Sequence, residues 1–123
     1  MKITTFNTQI ITNHSQEITE FFEQIGFEKN HVKNDVGRNK VTGICLKNPD
    51  GFKIDISDPK IPLPQDVTSI RINVDDFKEA YDMFIDRGFE NYYGNDTAVT
   101  SSSQSAVLMS RSGLVINLVK HIK

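Results

Sequence analysis

The side chains able to do chemistry are few and scattered. There is one cysteine, Cys45, and there are three histidines, His14, His31 and His121. No two of the histidines stand at a ligand spacing. The chain has no Gly-x-Ser-x-Gly elbow, no Walker loop and no Gly-x-Gly-x-x-Gly fingerprint. No local motif therefore encodes a nucleophile–base pair or a nucleotide cradle, and no cofactor is expected. A single cysteine excludes a disulfide within the chain and fits a reducing compartment. Its simplest role is a small buried residue on a strand. The doublet Asp75-Asp76 stands where a helix should begin, so helix capping explains it more simply than acid–base chemistry.

With no local motif, any site must be assembled by the elements, and these come as a repeat. At an offset of 62 residues Gly26-Phe27-Glu28 falls on Gly88-Phe89-Glu90. At the same offset Ile10 falls on Ile72, Glu17 on Glu79, Phe22 on Phe84, Leu46 on Leu108, Gly51 on Gly113 and Ile54 on Ile116. Distant anchors that keep one register make residues 1–61 and 62–123 two copies of one unit. The linker is Ile61-Pro62-Leu63-Pro64, whose prolines break helix and ladder alike.

Each copy reads strand, helix, then three short strands. Copy one predicts strands over 3–12, 27–34, 40–47 and 52–57, and copy two over 67–74, 89–93, 98–109 and 114–121. The polar stretch 101–105 reads as a loop or a frayed strand start. In the first helix Ile18, Phe21, Phe22 and Ile25 share a face, Asn13 or Ser15 caps the start, and Gly26 stops it. In the second, Asp76 and Glu79 make a capping box, Phe77, Ala80, Tyr81 and Phe84 form the stripe, and Gly88 ends it.

Length and charge agree with a single small domain. The 123 residues carry 14 Lys+Arg against 16 Asp+Glu, with no long run of one sign, which argues against nucleic acid and anionic membranes as partners. No apolar run reaches spanning length and no signal peptide opens the chain, so a soluble, cytoplasmic protein is expected.

Two tandem βαβββ units of this size resemble the glyoxalase/bleomycin-resistance/dioxygenase superfamily, also called the vicinal oxygen chelate superfamily. The phrases that carry the resemblance are FFEQIGFE and NPDGFKIDISDP in copy one, and INVDDFKEAYDMFIDRGFE and RSGLVINLV in copy two. The resemblance implies an α+β fold, with two tandem βαβββ modules forming a curved eight-stranded mixed sheet around a cleft. It also implies a homodimer and, in many members, a divalent metal that chelates the substrate. The family's ligand positions align with Asn7, Asp55, Ser69 and Asn117. Only Asp55 is a good ligand for a first-row metal, so no metal of the family type is expected.

Side-chain alternation then selects the cleft face. Ile54, Ile56, Ile70, Ile72, Ile116 and Leu118 belong to the helix side. Asn7, Gln9, Lys53, Asp55, Ser69, Arg71, Met109 and Asn117 belong to the cleft, with Cys45 and Val107 on the same parity. One reading is a metal-free protein that binds a small polar or anionic compound, with Arg71 or Lys53 on the anionic or carbonyl group and the amides fixing orientation. Another is a lyase, isomerase or dioxygenase-type enzyme, with Asp55 as acid–base and Arg71 as electrophile, or with an atypical metal on Asp55 and His121. A third is an interaction module, and a bare Arg71–Asp55 pair closing the cleft is the plainest outcome.

Overall fold

The computed structural model describes residues 1–36, 41–92, 98–99 and 103–121. Its elements are β1 (Ile3–Ile11), α1 (Ser15–Gln24), β2 (Glu28–Val36), β3 (Val41–Lys47), β4 (Lys53–Asp58), β5 (Val67–Val74), α2 (Phe77–Asp86), β6 (Glu90–Asn91), β7 (Ala98–Val99), β8 (Ser103–Met109) and β9 (Val115–His121). The class is the expected α+β, with eight principal strands, mixed pairing and two helices. Two compact units are present, one made of Asn7–Thr68 and the other of Met1–Phe6 with Ser69–Lys123. Both boundaries fall inside a strand, in β1 and in β5, at positions related by the sequence repeat.

The pairing follows the 62-residue offset across most of the sheet. In the first unit β1 runs parallel to β4, with Gln9 opposite Asp55 and Ile10 opposite Ile56. In the second β5 runs parallel to β9, with Arg71 opposite Asn117 and Ile72 opposite Leu118. The antiparallel pair β3–β4 sets Cys45 against Asp55 and Leu46 against Ile54. Its counterpart β8–β9 sets Val107 against Asn117 and Leu108 against Ile116. Outermost, Glu28 faces Lys47 and Glu90 faces Met109.

A shift of one residue would exchange the faces of a whole strand, so conserved register means conserved core. Leu46, Ile54 and Ile56 are buried in the first unit, with Ile10, Ile18, Phe22, Phe27 and Ile44 packed on them. Ile72, Ala106, Leu108, Ile116 and Leu118 are buried in the second with Phe77 and Ala80 of α2, and Tyr81, Phe84 and Phe89 pack on them. Burying one such aliphatic side chain contributes about 1.5–3 kcal/mol. Each helix ends alike: Gly26 and Gly88 take φ of 111° and 97°. The amides of Phe27 and Phe89 then donate back to the carbonyls of Phe22 and Phe84. Only a residue without Cβ adopts that conformation freely. The ring pairs Phe22–Phe27 and Phe84–Phe89 seal the two closures, with centroids 5.7 and 5.1 Å apart.

Four expectations need correction. First, the stripe of α1 is narrower than its spacing suggested. Ile18 and Phe22 pack on the core, whereas Phe21 and Ile25 are 54% and 57% exposed. Four apolar residues at spacings of three and four span more of the helix circumference than this sheet covers.

Second, α1 is capped by neither Asn13 nor Ser15. The cap residue is His14, which makes no side-chain cap bond. Thr12 accepts from the His14 amide instead. Asn13 is committed to the linker: its Nδ2 donates to the Ile61 carbonyl at 2.9 Å and its Oδ1 accepts from the Leu63 amide at 2.8 Å. Third, the acidic doublet divides its work. Asp76 caps α2, accepting from the Glu79 amide. Asp75 binds the backbone of Lys2, accepting from its amide at 2.6 Å and donating its own amide to the Lys2 carbonyl.

Fourth, the strand expected over 98–109 is two strands. β7 turns back on β8, pairing Ala98 with Ser105 and Val99 with Gln104. The repeat would have set Ala98 against Ser103, by analogy with Val36 against Val41, so the copies diverge at this hairpin. The polar run of serines hides the break, because serine alternates with nothing. The expected strand start at Lys40, the strand end at Tyr93 and the residues Ser101 and Ser102 lie outside the described residues.

Candidate functional site

Asp55 sits at the middle of β4, and its neighbours Ile54 and Ile56 point into the helix-side core. Alternation therefore turns Asp55 to the opposite face. It is 3% exposed. A buried carboxylate is costly unless hydrogen-bonded. Here Oδ2 accepts from Asn7 Nδ2 at 3.2 Å and Oδ1 accepts from Cys45 Sγ at 2.7 Å. Gln9, also buried, is the β1 residue directly opposite. On the other side the register continues from Cys45 to His31 on β2. One row thus crosses four strands of the first unit: Gln9, Asp55, Cys45, His31. His31 stands exposed at its outer end, and Lys53 is exposed at the start of β4, opposite Lys47.

The equivalent row of the second unit has different chemistry. Arg71 on β5 lies opposite Asn117 on β9, and Asn117 lies opposite Val107 on β8. Ser69 and Asn73, on the Arg71 side of β5, are 2% and 4% exposed. Arg71 is half-buried, and its Nε donates to Asn73 Oδ1 at 3.3 Å. That bond fixes the plane of the guanidinium, a fork suited to a carboxylate or phosphate. Met109 is half-buried at the end of β8, opposite Val115.

The structure therefore gathers the sequence candidates into two rows. Asn7, Gln9 and Asp55 come together in the first unit, with Lys53 at its rim. Ser69, Arg71 and Asn117 come together in the second, with Met109 at its end. Cys45 is the functional candidate that sequence reasoning passed over as packing. The signal was available, because the turn at 48–51 folds β3 back on β4 and sets Cys45 opposite Asp55. What no pattern revealed is that its thiol donates to the carboxylate.

The donors at the family's metal positions do not suit a first-row ion. Asn7 and Asn117 are amides, Ser69 is a hydroxyl, and both oxygens of Asp55 already accept bonds from Asn7 and Cys45. Among the described residues, no three His, Cys, Asp or Glu side chains group as a metal site would need. No helix there is long and apolar enough to cross a membrane.

No protein-family model matches the chain, and no curated protein matches it. Solved structures do. A glyoxalase/bleomycin resistance protein/dioxygenase superfamily member from Vibrio splendidus 12B01 superposes with a TM-score of 0.61 at 12% identity, covering 97% of this chain and 99% of its own. Methylmalonyl-CoA epimerase from Mycobacterium tuberculosis gives 0.70 at 15% identity, over 98% of this chain and 90% of its own. A Streptomyces coelicolor methylmalonyl-CoA epimerase in complex with 2-nitronate-propionyl-CoA gives 0.70 at 17%, over 99% and 100%. The chain has the fold of the glyoxalase/bleomycin resistance/dioxygenase superfamily, as the sequence resemblance implied.

Proposed function

We propose that the chain is a small-molecule-binding protein of this fold, working without a metal on a small polar or anionic compound. The carrying observation is the polar row of the second unit. Ser69, Asn73, Arg71 and Asn117 occupy one face of two paired strands, and two of the four are almost fully buried. Burying polar side chains on a sheet face costs stability where an apolar residue would serve. Arg71 supplies a charge-assisted fork for an anionic or carbonyl group, and Asn117 supplies an amide beside it. We place Asp55, in the first unit, as a ligand-facing group of its own: a fixed carboxylate for a hydrogen-bond donor. We place the working form as a homodimer, which light scattering on the eluted protein checks.

A second reading is catalytic. Asp55 would move a proton as the acid–base group. It is favoured by the epimerases among the similar folds and by the presence of a buried carboxylate outside any core cluster.

The test is a thermal-shift and calorimetry screen of the untagged chain against small carboxylates, phosphates and thioesters, repeated on Arg71→Ala. Binding of an anionic compound that weakens about tenfold or more in Arg71→Ala supports the proposal. Equal binding to both proteins overturns it. Stoichiometric zinc, nickel, manganese or iron in the untagged protein, lost in Asp55→Ala, overturns the metal-free reading. Exchange of a substrate proton with deuterated solvent, abolished in Asp55→Asn, would make the catalytic reading the correct one.

A further inference from the structure

We infer that Cys45 is a positioning residue for Asp55, so that the thiol and the carboxylate work as one device. The inference rests on the reading of Asp55 as a ligand-facing group. Two observations carry it. Cys45 Sγ lies 2.7 Å from Asp55 Oδ1, while Asn7 Nδ2 holds Oδ2 at 3.2 Å, so the carboxylate is gripped at both oxygens. A carboxylate held at both oxygens cannot rotate about its Cβ–Cγ bond without breaking one of those contacts.

The repeat supplies the second observation. At the equivalent positions Asp55 becomes Asn117 and Cys45 becomes Val107, in the same strand register. Where the charge is missing, the donor beside it is missing too. A cysteine kept only for its size would have no reason to follow the carboxylate. Valine fills a similar volume but has no hydrogen to donate.

Lys53 and Lys47 stand one step along, at the exposed end of β3–β4, and His31 is exposed beyond Cys45. β1 brings the amides Asn7 and Gln9. The consequence is a ligand preference. A carboxylate held in place by two donors selects a compound that presents an N–H or O–H to it, rather than one that merely fits the space.

The test uses the one S–H oscillator of a chain with one cysteine. In the intact protein the S–H stretching band should lie below that of a free thiol, and in Asp55→Asn it should move back toward the free position, since a neutral acceptor is weaker. The Asn7 side-chain amide resonances, assigned by their loss in Asn7→Ala, give an independent reading. They should shift in Cys45→Val and return toward the intact positions in Cys45→Ser, which restores a donor. A free-thiol band in the intact protein, or Asn7 resonances that ignore Cys45→Val, would overturn the inference. Should Cys45→Val not fold, the band comparison in Asp55→Asn still decides. None of these readings depends on finding a ligand, so failure here and failure of the proposed function are separate outcomes.

Discussion

The two units are one backbone plan with two chemistries. Gln9–Asp55–Cys45 and Arg71–Asn117–Val107 occupy the same places in the same register, one row bearing an acid and the other a base. On the helix side the same positions stay aliphatic in both copies, with Ile10, Leu46, Ile54 and Ile56 answered by Ile72, Leu108, Ile116 and Leu118. The difference teaches which face constrains and which is free to change. Core positions must fill space against a helix, so the choice is limited to a few side chains. The opposite face needs only polar satisfaction, which many residues provide.

The segments before the helices make the same point. Asn13 and Asp75 are equivalent by the repeat and both anchor backbone: Asn13 holds Ile61 and Leu63 ahead of β5, and Asp75 holds Lys2 ahead of β1. One does so neutral, the other charged. At the next residue Asp76 caps α2, whereas His14 leaves α1 without a side-chain cap.

The comparison can be broken hardest at the shared core. Ile56→Ala and Leu118→Ala truncate equivalent side chains that are 1% and 0% exposed. Each should lower unfolding free energy by about 2–5 kcal/mol in urea titrations. A loss in only one copy would show that the two cores are not energetic equivalents.

Next in size is a difference of function. Arg71→Ala should weaken an identified anionic ligand by about tenfold or more in calorimetry, while Gln9→Ala, at the equivalent place, should change it much less. Equal losses would mean the two rows do not divide the work as proposed.

Thr19 offers a smaller effect of opposite sign. Its hydroxyl is buried within α1 and has no hydrogen-bond partner among the described residues. Thr19→Val keeps the shape and removes the unpaired group, so stability should rise by about 1 kcal/mol. An unchanged or lower melting temperature would show that the hydroxyl is satisfied in solution. The caps give a paired prediction. Asp76→Ala should cost about 1 kcal/mol, and His14→Asp should recover about 0.5 kcal/mol by giving α1 the cap its twin has.

The smallest effect concerns pH. The Lys2 amide holds the Asp75 carboxyl below its ordinary value of 3.8. A lowered folded value means that Asp75 stabilises the fold above the ordinary carboxylate value, and that this contribution is lost as pH falls through the lowered one. Asp75→Asn should flatten that part of the acid limb, and the equivalent Asn13 should have no counterpart to it. The group is exposed, so only a slight change in slope is expected in acid titrations followed by circular dichroism. An acid limb identical to that of the intact protein would show that the Lys2 contact does not persist in solution.

Much of this was legible in the residues. Gly26 and Gly88, Phe22 and Phe84, and Ile54 and Ile116 carry the repeat, and the repeat carries both the class and the strand register. Alternation about Ile54, Ile56, Ile70 and Ile72 was enough to turn Asp55 and Arg71 to the opposite face. What misled were residues whose surroundings the local pattern does not show. Asn13 looked like a cap and is a clamp on 61–63. Phe21 and Ile25 looked like core and are exposed. The serines before Met109 concealed a hairpin.

The sequence by itself determined the plan: two copies, their register, and which face of each strand meets a helix. These follow from periodicity, which is local and repeats with the chain. The tertiary structure alone decided that Cys45 donates to Asp55, that Asn7 grips the other oxygen, and that Arg71 is oriented by Asn73. Hydrogen bonds are directional and depend on the rotamers that packing selects, so register and spacing bring side chains near one another without encoding which of them bond.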